Sequence, residues 1–143
     1  MPNPSEDFTL DPQLARDTMP VGDLPLSRVL LINDANYRWL LLVPRRRGVS
    51  EIIDLDAPAR AQLMTEIASV SRVLKELSGC DKLNVAALGN VVEQLHVHII
   101  ARSRGDAAWP KPVWGAAPAK AYEKAQIDRM IDALRQALTL KPV

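Results

Sequence analysis

Apolar positions along this chain change their period several times, and each change marks an element. Leu63, Ile67, Val70, Leu74 and Leu77 recur at steps of four and three, which lays them along one stripe of a helix. Asp56 is placed to cap that helix and Gly79 to stop it. A second stripe, Ile127, Met130, Ile131, Leu134 and Leu138, predicts a C-terminal helix over about 119–139. Between the N-terminus and the first stripe lie two runs of strand character, Arg28–Ile32 and Trp39–Val43. The turn residues Asn33-Asp34-Ala35-Asn36 separate them, and Pro44 closes the second. Two further runs, Leu83–Leu88 and Gln94–Ala101, flank Gly89-Asn90, and alternation of period two is plainest in the last. Asp11-Pro12 reads as a helix start, with Leu14-Ala15 facing inward. Arg45-Arg46-Arg47-Gly48 reads as a solvated turn without a catalytic role, and 107–118 as a loop rich in Pro, Ala and Trp.

Strands joined by links too short for parallel crossovers predict an α+β fold, a mostly antiparallel sheet with helices packed on it. With 143 residues, 48% of them apolar, the chain is expected to form one domain over 1–143, its core at about 20–115. The edges of such a sheet need cover, which a homodimer through an edge strand or a helix would provide. Eighteen Lys and Arg against 17 Asp and Glu leave a net charge of +1, so no global field draws the chain to nucleic acid or to a membrane surface. An anionic ligand must be recognised locally. Cys80 is the lone cysteine, which excludes an internal disulfide and a multi-cysteine metal site and suits a reducing, cytoplasmic setting. The opening residues 1–7 carry acids rather than a basic, apolar leader, and no run approaches the ~20 apolar residues of a membrane span, so neither secretion nor insertion is expected.

The chemistry turns on the only two histidines, His96 and His98. On a strand, Gln94, His96, His98 and Ile100 would share one face while Leu95, Val97 and Ile99 enter the core. Three readings compete. Both imidazoles could be satisfied polar groups in a half-buried sheet. They could supply two metal ligands, although the chain has no third histidine and no carboxylate beside them on that face. They could do nucleophilic or acid–base work, for which imidazole is suited by a pKa near neutrality.

The segment Gly89-Asn90-Val91-Val92-Glu93-Gln94-Leu95-His96-Val97-His98-Ile99-Ile100 resembles the signature of the histidine triad (HIT) family, in which three histidines alternate with apolar residues. Leu31-Ile32-Asn33-Asp34 and Leu41-Leu42-Val43-Pro44-Arg45 resemble that family's nucleotide-contacting hairpin, and Trp109-Pro110 follows the motif as it does there. The resemblance covers roughly 26–114. It implies a nucleotide hydrolase or nucleotidyl transferase, free of metal and other cofactors, in which His96 attacks the α-phosphate of a nucleotide conjugate. It further implies that His98 and Asn90 stabilise phosphate charge, with Gly89 in the same turn, and that Asp34 holds the ribose hydroxyls; Asn84 either faces the ligand as a nucleotide contact or satisfies a strand end. Two positions depart from the pattern. Gln94 stands first in the triad, where its amide hydrogen-bonds but cannot titrate, and Val91 stands where the family often has a hydroxyl. These departures make a nucleotide-binding module without catalysis the chief alternative, and a metal-dependent enzyme built on His96 and His98 is the third reading.

Overall fold

The computed structural model describes residues 7–143. Residues 1–6, on which the leader expectation rests, lie outside the described residues. In chain order the elements are α1 (Pro12–Asp17), β1 (Thr18–Asp23), β2 (Ser27–Ile32), β3 (Arg38–Pro44), a 3-10 turn (Ile52–Asp54), α2 (Ala57–Ser78), β4 (Lys82–Ala86), β5 (Val97–Arg102) and α3 (Lys124–Leu138). The strands form one sheet in the order β1-β2-β3-β5-β4, every neighbouring pair antiparallel. The α+β, mostly antiparallel architecture read from the short links is therefore the architecture observed.

Local chemistry explains the helix ends. The Asp56 carboxylate accepts from the Ala59 N–H at 2.9 Å, Pro58 sits in the first turn, and Gly79 ends α2 at φ 62°, a backbone conformation that glycine adopts without a Cβ clash. Asp11 caps α1 in the same way, accepting from the Gln13 N–H at 2.8 Å. Leu63, Val70 and Leu74 of α2 and Ile127, Ile131 and Leu134 of α3 cover one face of the sheet, where they bury Val29, Leu31, Leu40, Leu42, Val97 and Ile99. Within this aliphatic layer Glu66 is buried, accepting from the backbone N–H groups of Leu26 and Ser27 at 2.8 Å each, so its oxygens replace the water they have lost. The other face carries Leu30, Trp39, Leu41, Val43 and Ile100 and is covered by Leu14, Ala108 and Val113 rather than by a long helix.

Several boundaries differ from the pattern. β1 was not legible because Pro20 and Gly22 interrupt its alternation, and its register against β2 shifts between those two residues, as edge strands tolerate. A Cβ on Gly22 would sit 2.8 Å from the Leu140 Cβ, so the glycine admits the C-terminal segment. β4 stops at Ala86, leaving Leu88 exposed in the turn, and β5 begins at Val97 rather than Gln94. Leu77 is 43% exposed at the end of the α2 stripe, and on α1 only Leu14 faces inward. The arginine turn is only partly solvated: Arg45 folds back to donate to the Leu24 carbonyl at 2.7 Å. Among the described residues no helix is long and apolar enough to cross a membrane.

Candidate functional site

The register of the sheet brings an aromatic group to the second histidine. On β5, His98 lies opposite Leu41 of β3 and Ala86 of β4, while Trp39 lies opposite Ile100. Trp39 and His98 are thus diagonal neighbours on one face, a spacing that long aromatic side chains bridge. The Trp39 indole N–H donates to His98 Nδ1 at 2.9 Å. An indole only donates, so Nδ1 is the acceptor, and the network assigns the His98 proton to Nε2. Burial of the ring, and secondarily the neighbouring His96, lower the His98 pKa to about 4. At neutral pH His98 is an uncharged hydrogen-bond donor.

His96 is held in the opposite tautomer. Its Nδ1 lies 2.7 Å from the Gln94 backbone carbonyl, which only accepts, so Nδ1 carries the proton and Nε2 keeps a free lone pair. The two imidazole centroids are 5.0 Å apart. Trp114 stands edge-on to both His98, at 5.1 Å, and Trp39, at 5.9 Å. Two imidazoles in opposite tautomers therefore line one space beside two indole rings.

That space is a cavity of about 320 Å³ lined by both histidines, Trp39, Trp114, Ile32 and Leu41, by Gln13, Leu14 and Asp17 of α1, and by the turn 88–92. Its wall is chiefly apolar and includes no lysine or arginine. A cavity of about 510 Å³ adjoins it across Asp17, Ile32, Trp39 and Trp114 and is lined also by Arg16, Asn33 and Asp34. A third, about 210 Å³, opens on the other side of His96 between residues 50–53 and 87–89. His96 thus borders two spaces.

The expected site residues separate into four groups. Gly89 and Asn90 join His96 and His98 on the histidine cavity, Gly89 at φ 71° in the turn. Asp34 lines the adjoining cavity but is buried, and its Oδ1 already accepts from the N–H groups of Asn36, at 3.0 Å, and Lys120, at 3.2 Å. Asn84 shares the face of His98 but lies opposite Ile100, where its oxygen accepts from Arg102 at 2.8 Å. Arg102 is itself buried and paired with Asp106 at 2.8 Å, and the guanidinium holds the Asp106 carboxyl down at about 2.

Gln94 corrects the alternating strand face. β5 starts at Val97, and the Gln94 side chain does not line the cavity. Its amide oxygen accepts from the Asp11 N–H at 2.8 Å, and its amide nitrogen donates to the Thr9 carbonyl at 2.9 Å. It is the backbone of Gln94, not its side chain, that reaches His96. Trp39, Trp114 and the α1 residues escaped the sequence reading. Trp39 had one usable signal, its even spacing from Leu41 on the face toward which the histidines project; Trp114, in a loop, had none. Among the described residues no cluster of three or more His, Cys, Asp or Glu side chains is placed to hold a metal ion.

Comparison with known proteins gives this geometry a family. The HIT domain model matches residues 14–105. A histidine triad protein from Bradyrhizobium japonicum is 61% identical, with a TM-score of 0.90 over 91% of this chain and 97% of that one. Histidine triad proteins from Marinobacter aquaeolei (44% identity, TM-score 0.90, 92% and 96% covered) and Sinorhizobium meliloti (40%, 0.91, 93% and 98%) superpose as well. A Mycobacterium tuberculosis protein described as AP-4-A phosphorylase is 37% identical over 114 residues, 73% of this chain; the chain spans 57% of that relative's length. The chain belongs to the HIT domain family.

Proposed function

We propose that this protein hydrolyses a nucleotide conjugate, or transfers its nucleotidyl group, through attack of His96 Nε2 on the α-phosphate. The observation that carries this reading is the 2.7 Å contact of His96 Nδ1 with the Gln94 carbonyl, which leaves Nε2 free toward the cavity. As the Nε2–phosphorus bond forms, the phosphorus–leaving-group bond breaks and the leaving group departs with the electron pair, taking a proton from water. The imidazole becomes a cationic adduct whose Nδ1–H bond to the carbonyl strengthens. Water then adds to phosphorus, the Nε2–phosphorus bond breaks, and neutral His96 returns with one proton released. His98 Nε2–H and Asn90 supply hydrogen bonds to the phosphate oxygens in a site whose wall has no cationic side chain.

The nucleoside fits the apolar side of the cavity, against Ile32, Leu41 and Trp114, with Asp34 near the ribose across the adjoining space. The relative described as AP-4-A phosphorylase supports a nucleotide as the small-molecule substrate. We place the protein as a homodimer in the cytoplasm: β4 is a sheet edge with Val85 48% exposed, ready to pair with a second copy, and the lone Cys80 suits a reducing compartment. The rival is nucleotide binding without catalysis, favoured by the engagement of the Gln94 side chain elsewhere and by Val91, which is 91% exposed and offers no hydroxyl.

The test is release of nucleoside monophosphate from adenylated and guanylated phosphoramidates and dinucleoside polyphosphates by wild type and His96→Ala. Turnover that falls on the order of 10³-fold or more in the variant is expected. Equal rates in both proteins would remove His96 as the nucleophile, and AMP binding with turnover in neither would establish the rival.

A further inference from the structure

The residue that departs most from the triad, Gln94, is engaged at both ends of its amide, and both partners lie far away in sequence. Its oxygen accepts from the Asp11 N–H and its nitrogen donates to the Thr9 carbonyl, across 83 and 85 residues. Asp11 is the cap of α1, and α1 contributes Gln13, Leu14 and Asp17 to the wall of the histidine cavity. At its other end Gln94 is continuous with the backbone carbonyl that fixes the His96 tautomer. One residue therefore joins the nucleophile to the opposite wall of its cavity.

We infer that Gln94 is a positioning residue: its side chain clamps residues 9–11 so that α1 forms a fixed wall of the nucleotide pocket, and it moves no proton in the reaction. This rests on the nucleotide reading for its ligand but not for its geometry. Primary amides neither gain nor lose protons near neutrality, so Gln94 is unsuited to relay one. It is well suited to imitate one rung of a strand pair, giving a donor and an acceptor to a passing backbone. The clamp is not the only anchor of the segment. Leu14 is 5% exposed in the aromatic cluster, Phe8 and Leu10 pack against that cluster, and Thr18 Oγ1 donates to the Leu14 carbonyl at 2.7 Å. Loss of the clamp should loosen residues 9–13 without detaching α1.

The experiment compares wild type, Gln94→Ala and the isosteric Gln94→Glu, which keeps an acceptor for Asp11 but presents a second oxygen to the Thr9 carbonyl. Three quantities are read: amide hydrogen exchange of residues 9–14, the Kd of AMP by calorimetry, and kcat and KM across pH. Faster exchange confined to that segment is expected, with Kd and KM rising about tenfold, as for two lost neutral hydrogen bonds. kcat should stay within about threefold, with its pH profile unmoved, and Gln94→Glu should lie between the other two proteins. In Gln94→Ala, which adds no charge, a collapse of kcat at unchanged KM or a displaced pH profile would make Gln94 part of the proton chemistry and overturn the inference; so would unchanged exchange in residues 9–14. If no protein turns over any substrate, the nucleotide-transfer reading fails by itself, and hydrogen exchange and AMP affinity still decide the clamp.

Discussion

The two faces of the sheet solve burial in different ways. The face under α2 and α3 is aliphatic and repetitive: Leu40, Leu42, Val97 and Ile99 meet two helices whose apolar residues keep a 3.6-residue period, and dispersion and apolar burial hold it together, with Glu66 as its buried hydrogen-bonded carboxylate. The face of the histidines has no such cover. It is closed by a short helix, a turn and the loop 107–118, and its buried polar groups answer one another individually, Trp39 to His98, Arg102 to Asp106 and Asn84. A layer of interchangeable hydrophobes makes a support, whereas a layer of specific hydrogen bonds fixes tautomers and leaves room for a ligand. Buried side-chain hydrogen bonds are concentrated on the second face, beside the cavity that the two histidines line.

Asp106→Ala removes the acidic partner on which the buried charge of the histidine face depends. Arg102 is 1% exposed, and the substitution leaves its guanidinium buried beside only Asn84 and the Tyr37 and Trp109 rings. Asp106 also accepts from the N–H groups of Ser103, Ala108 and Trp109, so the start of the loop loses its anchor too. Stability by urea denaturation should fall by about 3–5 kcal/mol, as when one partner of a buried ion pair is removed. A loss below about 1 kcal/mol would show the pair to behave like an exposed one.

Acid distinguishes the faces next. His98 has a folded pKa of about 4 against 6.5 for the free side chain, because burial and then His96 disfavour its charge. Between those values the unfolded chain binds a proton that the fold refuses. Stability is therefore full above 6.5 and drains as the pH falls toward 4, by roughly 3 kcal/mol in all. Asp106, held near 2 by Arg102, gives up its contribution only below its ordinary 3.8, so the two windows are separate. Denaturation of wild type and His98→Asn between pH 7 and 4.5 should show a steeper loss in wild type; parallel curves would show that His98 is not held neutral.

The same contrast explains what could be read from the sequence. Leu63, Val70 and Leu74 announce α2 because a periodic face writes itself into local spacing, and the Asp56 cap and Gly79 stop act within one turn. His96 and His98 were legible as a pair because they stand two residues apart. Their surroundings were not. The Gln94 amide meets Thr9 and Asp11 from more than eighty residues away, and the face it was expected to share with the histidines required a strand that begins three residues later. Asp34 was legible as a turn residue, and its oxygen does bond the turn, but its bond to Lys120 depends on where the C-terminal segment passes. β1 stayed hidden because Pro20 and Gly22 erase alternation at a sheet edge, where pairing with β2 alone decides the outcome.

The smallest effect expected is also the most specific, Trp39→Phe. Phenylalanine keeps an aromatic ring against His98 and Trp114 but removes the N–H that His98 Nδ1 accepts at 2.9 Å. That nitrogen then becomes a buried acceptor without a partner. Nothing then fixes the proton on Nε2, and the tautomer protonated at Nδ1, which leaves an acceptor on Nε2 where the cavity now has a donor, becomes accessible. Phosphate oxygens would meet a lone pair instead of an N–H. A loss of about tenfold in kcat/KM follows if His98 stabilises charge by donating, together with a change in the ¹⁵N shifts that report its tautomer. Loss of a hydrogen bond to the neutral ring should also raise the His98 pKa from about 4. Unchanged shifts with unchanged kcat/KM would reduce Trp39 to packing, and the histidine face would then resemble the helix-covered face more closely than its hydrogen bonds suggest.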